Sequence, residues 1–197
     1  MGKAEGLESA NMDPAINFCS VCGAPVAQRV PPGDSLPRHV CDSCHTIHYS
    51  NPKLVVGTLP EWQDRVLLCR RAIEPRLGKW TLPAGFMENN ETVTADALRE
   101  TVEESGAHIE LGSIYTLISV PHISQVHVVY QARLLDLDFA PGEETLEVAL
   151  FSEAEIPWDE IAFRTISMTL RHFFGDRRSG QLVFHSGEIA PPAAPTR

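Results

Sequence analysis

The segment that most constrains this chain runs from Leu82 to Ala107. It reads Leu-Pro-Ala-Gly-Phe-Met-Glu-Asn-Asn-Glu and then Thr92-Val-Thr-Ala-Asp-Ala-Leu-Arg-Glu-Thr-Val-Glu-Glu-Ser-Gly106. Pro83 and Gly85 set a tight turn, Thr92 is a suitable N-cap, and Gly106 supplies a left-handed stop, so the spacing predicts a helix from about Thr92 to Ser105. At about 100° per residue, Leu98 and Val102 fall on one side as a core stripe. Asp96, Glu100, Glu103 and Glu104 gather on the opposite side. Carboxylates on the polar face of an amphipathic helix are ordinarily solvated and nothing more. Here Glu100 lies three residues from Glu103 and four from Glu104, which costs roughly 0.2–0.5 kcal/mol of repulsion per pair and raises their pKa values. A hard divalent cation such as Mg²⁺, which takes oxygen ligands, removes that penalty. The spacing accommodates both a solvated face and a cation site.

The flanking sequence reads as strands. Leu54–Leu59 and Arg65–Cys69 are apolar runs separated by a turn-rich Glu61–Asp64. Further strands are predicted at Ile109–Val120, at Gln125–Leu135, where Val126, Val128 and Tyr130 alternate onto one face, and at Glu147–Phe151. A second helix is predicted from about Phe163 to Phe174, with Ile166, Leu170 and Phe173 or Phe174 at helical spacing. Strands mixed with two helices imply a sheet covered by helices, an α/β or α+β layered domain. Phe86, Trp80 and Tyr130 are large enough to stack on a base, but aromatic residues in such strands more often fill core, and none is assigned a binding role.

Residues 15–50 have a different texture. The block carries several prolines and few large aliphatics, too little to hold together on a hydrophobic core alone. Four of the five cysteines fall here, as Cys19-x-x-Cys22 and Cys41-x-x-Cys44. Each pair presents two thiolates from one knuckle, and two knuckles close a tetrahedral S4 site suited to Zn²⁺, with two disulfides as the competing reading. Four thiolates leave no open coordination position, which makes such a zinc structural. His45 and His48 flank the second knuckle and are read as surface or packing residues. Cys69, in an apolar strand, is read as a small core residue.

A formal charge of −10 disfavours binding nucleic acid through broad phosphate neutralisation. No apolar run is long enough to span a bilayer, and residues 1–18 lack the basic start and apolar stretch of a secretory signal, so the expected address is the cytosol. Residues 1–14 and 187–197, rich in Gly, Ala or Pro, are expected to be disordered, which leaves domains at 15–50 and 51–186.

The pattern Gly85-x5-Glu91-x7-Arg99-Glu100-x-x-Glu103-Glu104-x-Gly106 resembles the signature of the Nudix hydrolase family, with every charged and glycine position filled. Thr101 and Ala107 occupy slots where aliphatic residues are usual, and Ala84-Gly85 stands where Gly-Gly is common. Val66–Arg71 followed by Gly78–Pro83 looks like the strand and turn ahead of the family's helix, and the Glu147 strand looks like the late element that closes its site. A zinc ribbon in front is found in one branch of the family. The resemblance implies an α/β/α sandwich with a mixed sheet, Mg²⁺ or Mn²⁺ held by Glu100, Glu103, Glu104 and the Gly85 carbonyl, and hydrolysis of a diphosphate linkage. It assigns Glu91 and Arg99 to bracing the turn and orienting the carboxylates. The general base falls either on the helix, at Glu100 or Glu103, or on a later loop, where Glu143, Glu144 and Glu147 are available and Glu144 or Glu147 is preferred. Arg71, at a strand end, is the candidate phosphate clamp, against a surface ion pair. Pro121, fifteen residues after Gly106, resembles the proline mark of ADP-ribose pyrophosphatases, and Ser124-Gln125-Val126 lacks the array of NADH-cleaving members. ADP-ribose and FAD therefore rank above NADH. A ligand sensor acting through the ribbon is the alternative from another class, and a homodimer is the assembly the resemblance suggests.

Overall fold

A computed structural model describes residues 16–191. The expected disorder of residues 1–14, and of the tail beyond 191, lies outside the described residues. The chain divides into a unit of residues up to Pro52 together with His122–Ser124, and a unit of Lys53–Pro121 and residues from Gln125 onward.

In the first unit, β1 (Val26–Arg29), β2 (Arg38–Cys41) and β3 (Ile47–His48) form a small antiparallel sheet. Two tight turns bring the cysteine pairs to one end. Gly23 N–H donates to the Cys19 carbonyl at 2.9 Å, and His45 N–H donates to that of Cys41 at 3.0 Å. Among the described residues of this unit the buried apolar side chains are Cys19, Pro31, Val40 and Cys41, while Phe18, Val21, Val30, Leu36 and Tyr49 stay exposed. So small a core leaves the fold dependent on a cross-link at the cysteines.

The second unit is built on a mixed sheet whose strands run in the order β10-β5-β4-β9-β8-β11. These are β4 (Lys53–Trp62), β5 (Arg65–Arg71), β8 (Ile109–Val120), β9 (Gln125–Leu134), β10 (Thr145–Phe151) and β11 (His185–Glu188), with β6 (Trp80–Thr81) added to β5 and β7 (Ala84–Phe86) to β4. β4 pairs with β9 in parallel, as β11 does with β8, and the other pairs are antiparallel. Alternation along the strands sends Leu59, Val66, Leu68 and Val129 toward α2 (Arg164–Ser179), where Ile166, Leu170, Phe173 and Phe174 complete the larger core. Val56, Val128 and Tyr130 point to the opposite face and meet Ala97 of α1 (Val93–Ser105). Helices on both faces of a mixed sheet make the α/β/α sandwich. No helix among the described residues is long and apolar enough to cross a membrane.

The buried face of α1 differs from the expected one. Leu98 and Val102 are 39% and 54% exposed, while Asp96, Ala97, Thr101, Glu104 and Ser105 are buried. The reason is closeness of approach. Small side chains at Ala97, Thr101 and Ser105 let the helix seat tightly on β4, and a leucine or valine stripe would hold it further off. Polar groups on that face are satisfied locally: Thr58 donates its hydroxyl to Thr101 Oγ1 at 2.6 Å, Thr101 donates to the Ala97 carbonyl at 2.7 Å, and Ser105 donates to that of Thr101 at 2.5 Å. Thr101 in an aliphatic slot is thus explained by the hydroxyl of Thr58 beneath it.

The predicted tail also begins too early. Residues 187 and 188 belong to β11, and Ile189 is buried with its N–H donating to the Ser119 carbonyl at 2.9 Å. His-Ser-Gly-Glu has no apolar alternation to reveal a strand. It is held instead by the backbone ladder and by Asp176, which accepts from Val183 N–H at 3.0 Å, from the Tyr115 hydroxyl at 3.0 Å and from His185 Nε2 at 2.8 Å.

Replacing Thr101 by Val leaves the buried Thr58 hydroxyl without an acceptor, and urea denaturation is expected to show a loss of about 1–3 kcal/mol. The double variant Thr58→Val/Thr101→Val removes both polar partners and is expected to be more stable than the single Thr101→Val.

Candidate active site

The site forms where β7 meets α1. Thr92 Oγ1 accepts from Ala95 N–H at 3.1 Å to start the helix, and Gly106 in the left-handed region ends it with its N–H on the Val102 carbonyl at 2.8 Å. β7 lies antiparallel to Val55–Gly57, which fixes the Pro83–Phe86 turn alongside the helix. Gly85 is held against the Glu100 carboxylate so closely that a Cβ on it would overlap the carboxylate atoms. Any larger residue at position 85 would force the Glu100 carboxylate out of this place beside the turn.

Glu104 is the most enclosed of the helix glutamates at 8% exposure, and its Oε2 accepts from Ala84 N–H at 3.1 Å. Burial pushes its carboxyl up to about 7, helped by the negative charges of Glu100 and Glu144 and opposed by the Ala84 bond and the charge of Arg71. Burial raises Glu100 as well, against the pull of Arg99. The Glu103 side chain is 59% exposed. Arg99 gathers the group: Nη1 donates to Glu100 Oε1 at 2.6 Å and Glu103 Oε2 at 3.0 Å, while Nη2 and Nε donate to the two oxygens of Glu91 at 2.8 and 3.2 Å. That guanidinium, with the Glu88 N–H, holds Glu91 down to about 2. Nη2 also donates to Asp96. Burial, and after it the neighbouring Glu91 carboxylate, push Asp96 up to about 7 against the charge of Arg99, and one Asp96 oxygen has no hydrogen-bond partner.

The loop before β10 is tied to the helix end, with Ala140 N–H donating to the Ser105 carbonyl at 2.9 Å and Gly142 N–H to that of Glu104 at 3.1 Å. Its far side is fixed by Ala72 N–H donating to the Glu144 carbonyl at 2.8 Å. Glu144 therefore sits within electrostatic reach of Glu100 and Glu104. Glu147 does not join them. A register shift between Thr145 and Glu147 pairs it with Arg70, and its Oε2 lies 3.5 Å from Arg70 Nη1 at the surface. Arg71 donates Nε–H to the Pro75 carbonyl at 2.8 Å, lies 5.2 Å from the Phe163 ring centroid, and lowers Glu104 electrostatically.

The residues suit a hard divalent cation. Glu104 and Glu100 are carboxylates removed from water without enough positive charge to compensate them, and oxygen donors of that kind select such a cation. The sequence reading missed Asp96 as a buried group. Its signal was available, since Asp96 stands three residues before Arg99 and four before Glu100, in the same helical row.

In the ribbon, the sulfurs of Cys19, Cys22, Cys41 and Cys44 all lie within 4.8 Å of one another. Cys19 and Cys44 Sγ are 3.6 Å apart, Cys22 and Cys41 Sγ 3.5 Å. Val21 and Cys44 N–H groups donate to Cys19 and Cys41 Sγ at 3.4 and 3.5 Å, and the cysteines form no disulfide. Four thiols converging with N–H donors on their sulfurs fit a structural Zn²⁺. Cys69 is buried in β5 and is not one of the four.

Fold and site together define an α/β/α protein that arranges the acids of one helix around a glycine turn and carries a four-cysteine ribbon earlier in the sequence. Residues 52–170 match the NUDIX domain and residues 17–50 the zinc ribbon described as Nudix N-terminal. The chain belongs to the Nudix hydrolase family. It is similar to the crystal structure of a NUDIX hydrolase from Nitrosomonas europaea, with 57% identity and a TM-score of 0.85 over 88% of this chain and 99% of that one. The ADP-ribose pyrophosphatase of Methanocaldococcus jannaschii is 29% identical over 55% of this chain and 67% of its own length. The NAD-capped RNA hydrolase NudC of Photobacterium profundum is 30% identical over 72% of this chain and 52% of its own. The chain thus spans about two thirds of the first of these two relatives and about half of the second.

Glu104 binds a proton more tightly folded than unfolded, so its contribution to the stability of metal-free protein is present at pH 4 and lost as pH rises through about 7. Glu104→Gln is therefore expected to gain about 1–3 kcal/mol over the parent at pH 8 relative to pH 4.5. Denaturant titration in chelator at the two pH values checks this.

Proposed function

We propose that this chain hydrolyses the diphosphate linkage of a nucleoside diphosphate derivative, with ADP-ribose or FAD as the leading substrates, using Mg²⁺ or Mn²⁺. The observation that carries the reading is the row of Glu100, Glu103 and Glu104 beside the Gly85 turn, with Glu104 buried and short of positive charge. Glu100, Glu103, Glu104 and the Gly85 carbonyl would hold the cation, which when bound neutralises diphosphate charge and makes a water more acidic. Glu91 and Arg99 orient the carboxylates. Arg71 meets a phosphate oxygen, for which its half-buried guanidinium is suited. Glu144 accepts the proton of the attacking water, since its loop is pinned at both ends and Glu147 is paired with Arg70. The water oxygen bonds to phosphorus, the bridging P–O bond breaks, and two monophosphates leave.

The ADP-ribose pyrophosphatase and NAD-capped RNA hydrolase activities of the two relatives support a dinucleotide-like diphosphate. NADH or an NAD-like diphosphate is the second reading, favoured by the match to NudC over 72% of this chain. The charge of −10 weighs against a long RNA as the recognised body of the substrate. The proposed assembly is a homodimer in the cytosol.

The test is release of monophosphates from ADP-ribose, FAD and NADH by the full chain, in Mg²⁺ or Mn²⁺ and in chelator. Cation-dependent turnover supports the proposal, and no turnover on any of them overturns it. Glu103→Gln is expected to lower kcat by roughly 10²–10³ or more with the melting curve retained. Glu144→Gln is expected to lower kcat by about 10²-fold and Glu147→Gln by less than about threefold; equal losses would move the base elsewhere.

A further inference from the structure

Asp96 is the one acid of α1 that the proposed chemistry does not use. It stands in the first turn of the helix with its side chain wholly inaccessible to solvent. One carboxylate oxygen accepts from Arg99 Nη2, and the other has no hydrogen-bond partner. Withdrawing a carboxylate from water costs several kcal/mol, and an Asn or Ala would fill the position without that cost. The position near a helix N-terminus and the contact with a guanidinium offset part of it. Neither accounts for why the chain places an acid there.

Arg99 supplies the reason. Its guanidinium is shared among Glu91, Asp96, Glu100 and Glu103, each of which accepts from it. Glu100 and Glu103 are also two of the three helix carboxylates proposed to hold a divalent cation. A guanidinium fixed between them competes directly with that cation for the same oxygens. The opposite pair behaves differently: Glu91 grips Nη2 and Nε through both oxygens, and Asp96, short and enclosed, has no room to turn elsewhere. Both lie on the N-terminal side of Arg99, away from Glu103 and Glu104.

We propose that Asp96 is a positioning residue that retains the Arg99 guanidinium on the Glu91 side of the helix, so that Glu100 and Glu103 can leave it for a divalent cation. The inference rests on the assignment of those glutamates to the cation. Without Asp96, Arg99 loses one of its two fixed acceptors and stays paired with Glu100 and Glu103, and the cation has to displace it.

The experiment measures Mn²⁺ binding to the full chain by the loss of the free-ion paramagnetic resonance signal, alongside thermal melting and the kinetics of monophosphate release. Glu103→Gln first tests the underlying assignment, which falls if that variant binds Mn²⁺ as the parent does. Given that it binds more weakly, Asp96→Asn is expected to raise the Mn²⁺ dissociation constant about tenfold. Its kcat at saturating Mn²⁺ and its substrate KM are expected to stay within about threefold of the parent. A residue that merely supported the fold would change the melting temperature and leave the Mn²⁺ constant where it was, and that result overturns the proposal. Should Asp96→Asn not fold, Asp96→Ser serves in its place under the same criteria. The double variant Asp96→Asn/Arg99→Gln removes the competing cation side chain, and it is expected to bind Mn²⁺ about threefold more tightly than Asp96→Asn alone, though below the parent because Arg99 no longer orients the carboxylates. A double variant as weak as the single one is a second overturning result.

Discussion

The close seat of α1 on the sheet is the constraint on which the rest of the catalytic unit depends. Ala97, Thr101 and Ser105 bring the helix axis near enough to β4 for the backbone of the Gly85 turn to touch Glu100 and for Ala84 N–H to reach Glu104. A larger side chain at any of these three positions would lift the helix and withdraw the glutamates from the turn. Packing and chemistry are here one arrangement. The same seat explains why Glu104 is buried at all, and a buried carboxylate without a full counter-charge attracts a cation in a way a solvated one does not.

Much of this was legible in the sequence. The cap at Thr92, the stop at Gly106 and five strands of the central sheet follow from local propensity and apolar alternation and lie within three residues of where those rules place them, whereas β11 was not expected. The cysteine spacing likewise brought four sulfurs together. The helix face was not legible, because hydropathy ranks Leu98 and Val102 as core and cannot register that a tight contact selects small residues. Glu144 and Glu147 were indistinguishable as charges three residues apart. What separates them is a shift in strand register, which belongs to the sheet and leaves no mark in composition.

The two units rest on different physics. The catalytic unit has cores on both faces of its sheet, with fully buried Leu59, Leu68, Leu170 and Tyr115 on one of them. The ribbon has almost none and turns its larger apolar side chains outward. Four cysteines placed to hold one ion stand where a hydrophobic interior would be, and a ribbon so built would depend for its stability on metal supply and thiol oxidation, while the sandwich depends on ordinary burial.

The strand pairing of β11 reaches beyond local order. β8 is twelve residues long and would be the border of the sheet, with a row of unpaired amides open to any extended chain. β11 covers Thr116–Ser119, and irregularities between Leu111 and Thr116 break the regularity of the remainder. The final described stretch of the chain therefore acts as a guard against templated association between molecules, a service to solubility made by a segment with hardly any apolar character of its own.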